Sequence, residues 1–152
     1  MVYAVAAYLH FVAIFLLFAL LVLEHQLFRL PLNFKRARSL FRVDLAFGIA
    51  AGLVLITGVA RAMRYGKGAD YYLNNSLFHT KVGLFVIVAL LSIYPTVTFL
   101  RWRPALKAGT VPSITPGTAR GVKLIIRLEL AALLVLPLLA TLMARGYGVI
   151  PL

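Results

Sequence analysis

Four stretches of the chain, near residues 2–23, 43–62, 77–100 and 122–143, are almost unbroken runs of Leu, Val, Ala, Ile and Phe. The hydrocarbon core of a bilayer is about 30 Å thick and takes a helix of about 20 apolar residues, so each run has the length of one crossing. Composition agrees. Of the 152 residues, 62% are hydrophobic and 13% charged, and mean hydropathy is +0.96. A soluble domain carries about 45–50% apolar and about 25% charged residues. Too few charges remain to cover a water-facing surface, which excludes a soluble enzyme. The net charge of +12 then belongs to membrane-facing loops rather than to nucleic-acid binding. The expected fold is an all-α integral membrane four-helix bundle, a single transmembrane domain with the lipid bilayer as its first partner.

The connections are a basic loop (24–42), a polar loop (63–76) and a Pro/Gly-rich loop (101–121). The first run has no Lys or Arg before Arg29, so it lacks the basic start of a signal peptide and reads as a retained helix. Loop one carries Arg29, Lys35, Arg36, Arg38 and Arg42, and loop three with its flanks carries Arg101, Arg103, Lys107, Arg120 and Lys123. The middle loop has Arg64 and Lys67, with Arg61 at the helix edge. The positive-inside rule therefore makes loops one and three cytoplasmic and leaves both termini and the middle loop outside. Asn74-Asn75-Ser76 offers caps for the third helix, and Thr115-Pro116 starts the fourth before its apolar run. The expected helices are 2–23, 43–62, 77–100 and 116–144. Gly48, Ala51, Gly52 and Gly58 share one face of the second, which suits close helix packing or a flat cofactor.

Ionisable groups inside a membrane are costly and mark function until they are paired away. Here they fall into two layers. The outer layer holds His10, His79, Lys81, Arg61 and Arg64. His10 and His79 lie on helices that both descend from outside, at depths differing by several ångströms at about 1.5 Å per residue. Two imidazoles at matched depth suit the axial positions of a six-coordinate haem b, with Arg61 and Arg64 placed for its propionates. The bland alternatives are histidines bonded to neighbouring helices and arginines anchoring the interface. Lys81 points about 200° away from His79 on an ideal helix, so it either snorkels to the interface or lines the site, where a desolvated ammonium could shuttle protons.

The inner layer holds Glu24, His25, Arg42, Asp44, Arg127 and Glu129. Opposite charges at one depth on three helices are expected to form ion pairs that pin the bundle. His10, Leu17 and Glu24 recur every seven residues, but Leu17 carries no proton, so a relay along that stripe is the weaker reading. With no cysteine, disulfides, thiolate metal sites and covalently attached haem are excluded. There is no phosphate loop, nucleophile elbow or zinc helix. The four acids, Glu24, Asp44, Asp70 and Glu129, are too scattered for a hard-cation cage. Most Tyr and Trp residues fall near the interfaces, as an aromatic belt does.

Leu9-His10 in the first helix, its exit Leu27-Phe28-Arg29-Leu30, and the entry Leu77-Phe78-His79-Thr80-Lys81-Val82-Gly83-Leu84 of the third resemble the HemJ-type protoporphyrinogen oxidases. They also resemble the allied small predicted membrane proteins and, more distantly, CopD-like domains. The resemblance implies a haem b protein of the bacterial inner membrane, with His10 the axial ligand and His79 or Lys81 the other important group. Where the HemJ-type family carries an Arg…Asn-Glu-x-Pro pattern in its fourth helix, this chain reads Arg127-Leu128-Glu129-Leu130. Haem binding is therefore carried over more readily than porphyrinogen oxidation. The expected function is redox or electron transfer on haem b, with a membrane redox partner or quinone and a homo-oligomeric assembly. The alternatives are a small transporter and a cofactor-free accessory subunit.

Overall fold

The computed structural model describes residues 1–150. Its elements are α1 (Val2–Leu27), α2 (Phe34–Met63), α3 (Ala69–Leu73), α4 (Ser76–Leu100), α5 (Arg103–Lys107) and α6 (Pro116–Ala144). α1, α2, α4 and α6 are each long and apolar enough to cross a membrane. α1 packs on α2 and α6, while α4 packs on α6 and α2. The spans thus run around the bundle in chain order, up and down, with α1 diagonal to α4.

Side chains buried in the bundle recur at steps of three and four. They are His10, Ala13, Leu17, Leu21 and Glu24 on α1, Ala37, Leu40, Asp44, Phe47, Ala50 and Val54 on α2, and Ala119, Val122, Ile126, Glu129 and Leu133 on α6. That spacing is the seam of a left-handed bundle, with ridges of one helix set into grooves of the next. The opposite faces are equally apolar: Phe15, Leu45, Ile56, Leu90, Leu134 and Leu138 are exposed, as lipid-facing residues must be. Lipid tails are as apolar as leucine, so burial alone does not hold these helices together. Close packing and the few buried polar contacts do.

Two helices exceed the expected bounds: α1 runs on to Leu27, past 23, and α2 starts at Phe34, well ahead of 43. α2 begins at Phe34 because the Asn33 side chain accepts the Arg36 N–H at 2.8 Å and the following turns are rich in good helix formers. This extension is amphipathic, burying Ala37 and Leu40 while Lys35, Arg38 and Arg42 stay exposed. At the other end of the bundle, the polar loop contains α3 and is closed by the segment that follows α6. Asn75, fully buried, accepts the N–H groups of Leu77 and Phe78 and donates to the Tyr147 carbonyl. Ser76 N–H donates to the Gly148 carbonyl at 2.8 Å, and Ile150 N–H to the Asn74 carbonyl at 2.9 Å. Tyr71 and Lys67 donate to the Met143 and Ala144 carbonyls. These bonds take up backbone groups that α6 leaves unsatisfied at its C-terminus.

Gly148 sits at φ +79°, and a Cβ there would lie 2.6 Å from Leu77 Cγ. Gly148→Ala should cost about 1–3 kcal/mol through backbone strain and that collision, read as a lower unfolding midpoint of the purified protein in detergent. The chain has no cysteine, so single-cysteine variants report topology directly. In right-side-out vesicles an impermeant maleimide should label Tyr147→Cys and spare Lys107→Cys.

Candidate functional site

His10 projects from α1 into the bundle and is 5% exposed. Its Nδ1 lies 2.8 Å from Thr57 Oγ1, and that hydroxyl lies 2.6 Å from the Leu53 carbonyl. A carbonyl only accepts, so the single hydroxyl hydrogen of Thr57 is spent on Leu53. Thr57 must then accept from His10 Nδ1–H, which assigns the tautomer and leaves Nε2 as the basic nitrogen. One residue on, Gly58 lets the ring lie against α2, since a Cβ there would stand 3.2 Å from His10 Cε1. Gly48 and Gly52 have nothing within 4 Å of such an atom. Of the small-residue face on α2, it is Gly58 that receives a partner's side chain closely.

Two cations reach the same region. Lys81 of α4 and Arg61 of α2 lie within electrostatic reach of His10 and of one another. Both are half-buried. The Arg61 guanidinium stands 5.5 Å from the centre of the Phe11 ring, while its Nε is buried without a partner. The structure therefore gathers His10, Arg61 and Lys81 from three helices.

His79 and Arg64 stand apart from this group. His79 is exposed, and its Nε2–H donates to the Leu73 carbonyl at 2.8 Å, closing the turn between α3 and α4. That nitrogen is occupied by the turn, and the ring is on an exposed face of α4. Arg64 is exposed and lines an open groove with Leu55, Ile56, Val59, Ala60, Met63 and Tyr65. Of the two groups left open by the sequence as partner to His10, Lys81 is the one brought near it. Thr57 escaped sequence reasoning; the signal available was a hydroxyl next to Gly58, itself part of the small-residue face, in an otherwise apolar run.

The inner layer corrects an expectation. Glu24 and Glu129 are each 1% exposed and Asp44 is 5% exposed, on three different helices. They lie within electrostatic reach of one another. Arg42 and Arg127, the expected counter-ions, are on exposed faces. Glu24 Oε2 and both oxygens of Glu129 have no hydrogen-bond partner, and Asp44 Oδ1 accepts from Thr96 Oγ1 at 2.7 Å. The bundle is not pinned here by ion pairs. Each arginine follows its helix periodicity outward, two residues and hence about 200° away from the neighbouring acid. Among the described residues, no group of three His, Asp or Glu side chains converges closely enough for a metal ion.

Thr57→Val removes the acceptor of His10 Nδ1–H without changing the shape of the side chain much. A buried donor left unpaired should cost about 1–3 kcal/mol, while Thr57→Ser should keep nearly all the stability, both measured by unfolding in detergent.

No curated protein and no solved structure matches the chain. Residues 2–148 match the family described as Predicted membrane protein (DUF2214), which supports the membrane-protein part of the resemblance and does not extend to HemJ identity. Spanning nearly the whole bundle, the match shows that the chain belongs to this family of predicted membrane proteins, DUF2214.

Proposed function

We propose that this protein binds haem b within the membrane, with His10 as the ligand to iron and Arg61 and Lys81 as partners of the propionates. One observation carries the proposal. His10 Nδ1–H is anchored by Thr57, itself anchored on Leu53, which leaves Nε2 basic and oriented. This is the support that metal-ligating histidines characteristically have. The surroundings suit the rest of the molecule. Arg61 and Lys81 are cations in a mostly apolar layer with no acidic side chain bonded to either, which favours a ligand with carboxylates on an apolar body.

His79 is left out of the proposed ligand set because it is exposed and closes the turn between α3 and α4, whereas His10 faces the bundle interior. His10 would then be the one protein residue proposed to hold the iron. Haem supplies one-electron chemistry when bound. A membrane redox partner or quinone, and a homo-oligomeric assembly in the bacterial inner membrane, complete the proposal.

Protein purified in detergent from haem-replete cells should show a Soret band and, once reduced, a shift on adding carbon monoxide. His10→Ala should lose the band. Thr57→Val should weaken haem retention about tenfold to a hundredfold, and His79→Ala should leave it unchanged. A low-spin spectrum lost in His79→Ala would restore that histidine as a ligand. A colourless protein would overturn the haem proposal and return the basic cluster to a transporter or accessory role.

A further inference from the structure

The three buried acids carry an inference independent of haem. Around them, each helix contributes buried apolar side chains. One turn towards the basic end lie Phe28 below Glu24, Leu40 below Asp44, Phe99 below Thr96, and Ile126 below Glu129, all buried. Phe28 and Phe99 have ring centres 6.0 Å apart, and Phe99 and Trp102 are 4.8 Å apart. They form an aromatic plug between the acids and that end of the bundle. On the other side Leu21, Leu17 and Ala13 fill the α1 seam up to His10, about 21 Å away along the helix. The acids lie in a layer of the bundle bounded on both sides by buried apolar side chains.

We infer that Glu24, Asp44 and Glu129 form a proton-binding site, in which the protein holds protons as neutral carboxyl groups in the inner half of the membrane. A carboxylate stripped of water must acquire a cation, a set of donors, or a proton. Donors are scarce: Thr96 serves one oxygen of Asp44, and three oxygens of the two glutamates have no donor at all. Basic side chains do not sit among the acids, since Arg42 on α2 and Arg127 on α6 are exposed. Half-buried His25 is one position, about 100°, around α1 from Glu24. The titratable Tyr94 of α4 is directed at Gly121, not at the acids. The acids are also too dispersed for a metal ion. Protons remain, and they bind one carboxyl at a time without requiring convergence.

The test is infrared spectroscopy of the purified protein at neutral pH, joined to labelling with dicyclohexylcarbodiimide, an apolar reagent that enters membranes and modifies carboxyls in their protonated form. The wild-type protein should show the carbonyl stretch of a neutral carboxyl group, shifted in deuterated buffer. That band should diminish in Glu129→Gln and again in Glu24→Gln/Glu129→Gln. Because Gln has the shape of the neutral acid, both variants should keep the wild-type unfolding midpoint. Carbodiimide adducts at Glu24 or Glu129 should be lost in the double variant. A wild-type spectrum with carboxylate bands alone would overturn the inference without any variant. Protection from the reagent by sodium ions would reassign the acids to a monovalent cation and overturn it as well. Neither result depends on whether the protein binds haem.

Discussion

The interior of a bilayer donates no hydrogen bonds, and this protein is shaped by that fact. Every backbone group must be satisfied within its own helix, so the chain crosses as four helices. Every polar side chain must reach an interface, find a partner inside, or bear the cost of staying unpaired. The same seam of threes and fours that packs leucine and alanine against neighbouring helices also carries His10, Glu24, Asp44 and Glu129 inward. The core and the chemistry share one stripe.

The polar contents of that stripe are segregated by sign. Towards the polar loop the bundle holds His10, Arg61 and Lys81, which suit an anion. Towards the basic loops it holds only acids, which suit protons. Leu17 and Leu21, both almost fully buried, separate the two. Among the described residues, α1 therefore offers no continuous polar path between the two layers.

Much of the architecture was legible from residue order. Four apolar runs require four crossings, and a Pro following Thr115 or a Ser following Asn75 marks a helix start by local bonding alone. The depth of a residue is also a matter of counting. What counting misses is rotation. His79 and Lys81 are two residues apart, yet one closes a turn with the Leu73 carbonyl while the other approaches His10. Likewise Arg42 and Asp44, or Arg127 and Glu129, are neighbours in sequence at one depth and face opposite ways, so ion pairs expected from depth do not form.

The sequence by itself determined that this chain lives in a membrane, how many times it crosses, which loops are basic and which ionisable groups are stranded in hydrocarbon, because those properties depend on length, hydropathy and charge along the chain. Only the tertiary structure decided which stranded groups meet. The bond of His10 to Thr57, the cover over the α6 end, and the gathering of three acids without a counter-ion all join residues far apart in sequence. Each depends on the angle at which one helix presents a side chain to another, and that angle is set by packing.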